Sequence, residues 1–176
     1  QHLMGFGYDR LKQTGDKGAR KKTNNQWFET QDSISYWDDF FKQKIMYPNM
    51  TKFLPFYLDD KGFMQNDKSF MITGNYLYFL TAFLNSSLFK FCFIDNFPEL
   101  QGGTRELRKI FLDKIPVLQV TEEQNEIFKP LVQKCQQLRL ENYPSHELEK
   151  QIDNIIFDLY RLSEEERKII GYIEIQ

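Results

Sequence analysis

Residues 75–92 read NYLYFLTAFLNSSLFKFC, and this stretch decides the fold. Leu77, Leu80, Leu84, Leu88 and Phe91 recur at helical spacing. Apolar residues also stand on nearly every other side, which predicts a helix buried all round rather than one displaying a polar face. Asn75, following Gly74, is placed as its N-cap. A helix of this kind needs partners on several sides, and the flanking sequence supplies two sorts. Upstream, short β-like pieces are expected at 44–47, 53–58 and 69–73, with Met64 in a further strand and a turn at Asp60-Lys61-Gly62. Between them and the N-terminus, 27–43 reads as a short strand and then a helical turn around Tyr36–Phe41. Downstream, Thr121-x-x-Gln124 and Ser163-x-x-Glu166 are capping boxes. They open a helix with Ile127, Leu131, Cys135 and Leu138 on its apolar face and a last short helix through Ile170. Between them, after a break and new cap at Pro144-Ser145, runs a stripe of Leu148, Ile152, Ile155, Ile156 and Leu159. Pro130 predicts a kink or second start. The expected class is α+β: a mixed β-sheet domain with a buried helix over 1–120, and a C-terminal helical hairpin over 121–176 packing on it.

The chain has 176 residues, 41% hydrophobic and 27% charged, which supports a true core and excludes disorder, collagen-like repeats and a disulfide-stapled scaffold. Cys92 and Cys135 have no CxxC spacing and read as buried free thiols of a reducing compartment, so a cytoplasmic location is expected. No apolar run approaches the roughly 18 residues of a membrane span. The sequence opens QHLMGFGYDR, without an initiator Met or a signal-peptide core, and is expected to be a piece of a longer protein.

The formal net charge of −2 conceals a division. Residues 1–120 carry 16 Lys/Arg against 13 Asp/Glu, and residues 121–176 carry 7 against 12. Within the first part, Arg10, Lys12, Lys17, Arg20, Lys21 and Lys22 meet one acid, Asp16, over residues 10–26. That segment, with Asn24 and Asn25, reads as a mobile polar loop whose cations neutralise phosphates and whose amides read base edges. Gly15 and Gly18 would let it mould to a groove, and Trp27 and Phe28 would anchor its end in the core. Gly102-Gly103-Thr104-Arg105, followed by Arg108 and Lys109, is a second candidate phosphate-contacting segment. Each segment could equally be an ordinary charged surface.

Catalytic signatures are missing from the sequence. There is no GxxxxGK[ST], GxGxxG or GxSxG. His2 and His146 have no neighbours at metal-ligand spacing, so no metal site and no catalytic residue is expected. Asp59-Asp60 before Gly62 is best explained by turn chemistry. Glu147-Leu148-Glu149-Lys150 lies on the polar face of a helix.

Five stretches occur in an order that resembles a known family: WFETQD at 27–32, KIMYPNM at 44–50, ITGNYLYFLTAFLNSSLFKF at 72–91, GGTRELRKIFLDKIPV at 102–117 and ELEKQIDNIIFDLYRLSEEERKII at 147–170. Together they resemble the C-terminal target-recognition region of type IIG restriction–modification enzymes, the TaqI/Eco57I-like specificity domain of N6-adenine DNA methyltransferases. The resemblance implies a module that recognises a short double-stranded DNA sequence for a methyltransferase/nuclease part of the same polypeptide. S-adenosylmethionine, with Mg2+ where the parent cleaves, would belong to that part, and no cofactor is expected here. An Asn-Pro-Pro-Tyr motif, which would hold a flipped adenine, does not occur in these residues. The resemblance places Trp27, Lys44 and Tyr47 in framework or DNA-side strands, and Gly102, Gly103 and Arg105 in a loop near DNA. Alternative readings are a domain of a type I specificity subunit, a protein-interaction module and an independent enzyme.

Overall fold

The computed structural model describes residues 2–32 and 35–173. The chain divides into two compact units, Gln1–Trp37 and Asp38–Gln176. The change of character at residue 120 is not a boundary between cores. Phe128, Val132, Ile152, Ile156 and Phe157 of the C-terminal helices belong to the same buried cluster as Ile45, Phe56 and Phe83.

In the first unit a 3-10 turn, Leu3–Phe6, precedes a single helical turn, α1 (Tyr8–Leu11). Residues 12–32 form no helix or strand and are held by backbone and side-chain hydrogen bonds. The second unit is α+β, with two three-stranded sheets that are antiparallel rather than mixed. β1 (Lys44–Pro48) is the centre of the first, between β3 (Tyr57–Asp59) and β4 (Ser69–Ile72). Its register pairs Ile45 with Leu58 on one side and with Ile72 on the other. β2 (Met50–Thr51) follows almost at once but joins a different sheet, beside β6 (Thr104–Glu106) and β5 (Glu99–Leu100). Asn49 makes this crossing possible. Its N–H donates to the Lys68 carbonyl at 2.8 Å, and its carbonyl accepts from the Leu107 N–H at 2.8 Å, so both sheets are tied to one residue.

The buried helix is two helices. α2 (Leu77–Leu84) and α3 (Ser87–Phe93, continuing as a 3-10 turn to Asn96) meet at 62° across Asn85-Ser86. The cause is polar side chains at mid-stretch, which bond backbone outside the helix. The Asn85 amide donates to the Phe56 carbonyl at 2.7 Å and accepts from the Phe56 N–H, while Ser86 caps the Phe89 N–H. The bend turns Phe91 and Cys92 outward, so Cys92 is exposed and not a buried thiol. Tyr76, left-handed at φ 57°, takes the N-cap place expected for Asn75. The 53–58 strand shortens to Tyr57–Asp59, and no strand forms at Met64 or over 27–32.

α4 (Lys109–Leu112) leads to α5 (Glu122–Leu140), α6 (His146–Leu159) and α7 (Glu164–Ile170). Both predicted capping boxes form, on Thr121 with Gln124 and on Ser163 with Glu166. α5 runs through Pro130 without a second start. Ser145 makes no side-chain cap; its hydroxyl donates to Glu149 instead. The helices pack on α2 and α3 and fasten to them through polar side chains. Asn125 accepts from the Phe79 N–H at 3.1 Å, and Asp153 accepts from the Ser87 N–H at 2.9 Å. Gln136 bonds both the N–H and the carbonyl of Leu58, filling the open edge of β3. Phe83 sits at the middle of the core, stacked on Tyr160 at 5.5 Å and edge-on to Phe89 at 5.8 Å.

Candidate nucleic-acid interface

The two basic segments lie in different compact units, the first within Gln1–Trp37 and the second within Asp38–Gln176.

The first segment is not a loose loop. Its two limbs bond each other: the Arg20 N–H donates to the Lys12 carbonyl at 3.0 Å, Gly15 to Arg20 at 2.9 Å and Thr23 to Gln13 at 3.1 Å. The Ala19 N–H donates to the Asp16 carbonyl at 2.9 Å, closing a turn with Lys17 at its corner and Gly18 next, at φ 89°. That conformation is open to glycine at no steric cost. Gly15 is likewise left-handed, at φ 79°, and a Cβ there would make a tight contact of 3.1 Å with the Cβ of Lys22. Gln13, 6% exposed, holds the structure from inside. Its amide donates to the carbonyls of Gln26 and Glu29, at 2.8 and 2.9 Å, and its oxygen accepts from the Thr23 hydroxyl. The Arg20 guanidinium also donates to the Glu29 carbonyl.

Arg10, Lys17 and Lys22 are exposed and form no ion pair among the described residues. Lys12 pairs with Asp9 at 2.7 Å and lies over the Tyr8 ring; Lys21 pairs with Asp32 at 3.1 Å. The hydrogen bond that the Lys12 ammonium donates to Asp9, then the charge of Asp9, raises the pKa of Lys12 and keeps it charged. Asn24 is exposed, and the Asn25 amide donates to the Thr30 carbonyl at 2.8 Å. Trp27 and Phe28 do not anchor this segment in the core: Phe28 is 55% exposed, and Trp27 packs edge-on against Tyr8 and Phe28.

In the second segment Gly102 and Gly103 form the exposed tip of the β5–β6 hairpin, at φ 78° and 77°. The cations that follow are engaged. Arg105 binds Asp95 at 2.8 Å, Glu99 at 3.2 Å and the Phe97 carbonyl at 3.0 Å. Arg108 binds Glu106 at 2.9 Å, and Lys109 binds Asp113. Sequence reasoning missed Lys52, which is exposed and whose ammonium lies 3.9 Å from where a Gly102 Cβ would stand. It also missed Gln13, which carries no charge signal.

Lys44 is corrected outright. It is fully buried, donates to the Phe40 carbonyl at 2.7 Å and pairs with a fully buried Asp59. A side chain so enclosed cannot reach a phosphate, so Lys44 belongs to the framework. Burial pushes the Asp59 carboxyl up, but the Lys44 ammonium and the N–H groups of Lys61 and Phe63 outweigh it and hold the carboxyl below its ordinary range. Tyr47 is framework too: burial, then the charge of Asp113, pushes its phenol up to about 12.

Among the described residues no three His, Cys, Asp or Glu side chains come together as a metal-ligand set. A cavity of about 390 Å3 in the second unit is lined by apolar residues such as Leu54, Phe56 and Val132, with Arg139 and Glu149 at its wall. One carboxylate oxygen of Glu149 is engaged by Arg139 and Ser145.

A family model described as the TaqI-like C-terminal specificity domain matches residues 8–117. The match covers more than half of the chain and includes both basic segments, both sheets and the bent helix pair. No curated protein matches the chain.

Proposed function

The chain belongs to the family of TaqI-like C-terminal specificity domains, and from that premise we propose that it recognises a short sequence in double-stranded DNA for a type II restriction–modification enzyme. Cationic side chains fix the position on the phosphate backbone, while exposed polar side chains read base edges. The observation that carries this reading is the ordered basic loop within the matched span, where Arg10, Lys17 and Lys22 face solvent without a carboxylate partner among the described residues. Gly102, Gly103 and Lys52 offer a second backbone contact.

The chemistry is assigned elsewhere. An adenine-N6 methyltransferase, with or without a nuclease, would lie in another part of the same polypeptide and would flip the target base there. S-adenosylmethionine would be held by that other part, and no methyl-transfer step is derived through this chain. The setting proposed is the cytoplasm. No single described helix is long and apolar enough to cross a membrane.

Fluorescence anisotropy of the chain on a mixed-sequence 30-bp duplex tests the reading. Binding should weaken with salt, by about 0.9 log units per log unit of salt for each phosphate contact. Absence of binding at 20 mM salt, together with an unchanged parent enzyme carrying neutral residues at 10, 17 and 22, would sink it.

A further inference from the structure

Composition alone describes residues 10–26 as a cationic tether. A tether would need only its charges. The structure shows something more specific: two limbs, 12–15 and 20–23, bonded across to each other and closed by a turn with Lys17 at its corner. Lys22 lies on the returning limb, and Arg10 stands on the helical turn α1 that leads in. The limbs are fixed by Gln13, a neutral side chain nearly closed off from water. Its amide reaches Gln26 and Glu29, beyond the hairpin, and its oxygen takes the Thr23 hydroxyl on the opposite limb. Losing this amide would leave the Gln26 carbonyl with the Glu29 N–H, the Glu29 carbonyl with the Arg20 guanidinium, and the Thr23 hydroxyl without its acceptor, so the tie between the hairpin and residues 26–29 would weaken.

The two limbs form no β-ladder, but three main-chain hydrogen bonds hold them side by side, and the major groove of B-DNA, about 12 Å wide, admits an element two chain segments across. We propose that residues 12–23 are a preformed finger for the major groove, with Lys17 leading and Arg10 and Lys22 on its flanks. Gln13 is the positioning residue that keeps this shape before DNA arrives. The proposal rests on the DNA-recognition reading and adds how the contact is made. Preformation matters because a loop that must be ordered on binding spends part of its contact energy on that ordering.

The test holds charge constant. Gln13→Met keeps all six cations and the length of the side chain but removes every hydrogen bond made by that side chain. On the mixed-sequence 30-bp duplex at 50 mM salt it should bind about tenfold more weakly than the unaltered chain, the loss expected when several contacts must be ordered on binding. Its salt slope should fall by about 0.9 for each phosphate no longer held in place. Lys17→Gln should lower the slope of the unaltered chain by about 0.9 and leave that of Gln13→Met unchanged, since the cation acts through the shape. Backbone hydrogen exchange gives a readout free of DNA: the Gly15, Arg20 and Thr23 amides should be protected in the unaltered chain and unprotected in Gln13→Met. Equal affinity and slope for Gln13→Met would overturn the finger, as would unprotected amides in the unaltered chain. A chain with protected amides and no binding to the duplex would refute the DNA reading itself.

Discussion

In the unit that ends at Trp37, Leu11 and Gln13 are the buried side chains among the described residues. The unit that begins at Asp38 buries a continuous cluster from Ile45 to Phe157. Both units fasten backbone with side-chain amides: Gln13 in the first, Asn85, Asn125 and Gln136 in the second. What differs is the surroundings. A hydrogen bond contributes about 0.5–1.5 kcal/mol net, whereas burying a large apolar side chain contributes about 1.5–3 kcal/mol. The first unit has the former with little of the latter, and should open locally well before the second unfolds. Shape at the basic loop and stability at the core are therefore separate quantities, and each can be altered alone.

The harshest way to break this comparison is Phe83→Ala. Phe83 is fully buried and meets the rings of Phe79, Phe89, Phe93 and Tyr160. Urea denaturation should show a loss of about 3–5 kcal/mol, with Arg20 and Thr23 amide exchange unchanged until global unfolding dominates. A loss under about 1 kcal/mol would mean that the second unit is not held by its aromatic core. Lys44→Met should cost a similar amount, about 3–5 kcal/mol, because it strands the Asp59 carboxylate in the interior. Lys44→Met with Asp59→Leu should recover most of that, and no recovery would assign the cost to packing instead. Asp59, held low, contributes stability present above its unfolded pKa and lost as pH falls through its folded value.

Asp153 sharpens the comparison with the opposite sign. Burial first, opposed by Ser87 and helped by the charge of Glu149, pushes its carboxyl from 3.8 to about 6. Its contribution is full below pH 3.8 and lost as pH rises through about 6. Asp153→Asn keeps an acceptor for the Ser87 N–H, and should be more stable than the unaltered chain at pH 7.5 by about 1–3 kcal/mol, with the gain gone at pH 4. An equal difference at both pH values would rule out ionisation as the cause. The smallest effect belongs to the first unit: Lys21→Gln removes an exposed pair with Asp32 and should change stability by less than about 1 kcal/mol. A larger change in a thermal melt would show that surface ion pairs hold that unit together.

What could be read in the sequence follows how far apart the partners lie. Both capping boxes link residues three apart, and both were legible. The apolar stretch at 75–92 was legible as interior, but its bend depends on Asn85 meeting Phe56, which periodicity cannot report. The β2–β6–β5 sheet was invisible because strands of two or three residues carry no alternation. At the candidate interface the charge was legible and the shape was not. Gln13 finds its carbonyl partners at Gln26 and Glu29, and nothing around it in sequence marks it as interior. Lys44 was misplaced for the same reason, since Asp59 supplies its counter-charge from another strand.

The seal on β3 has a consequence for synthesis. Leu58 is served by Gln136, 78 residues later in the chain. At roughly 5–20 residues per second, a ribosome would need about 4–16 s to make the second after the first. Through that interval the nascent chain carries a hydrophobic strand with its hydrogen-bonding edge unfilled. A chaperone has that window to engage the edge, and it closes when α5 emerges.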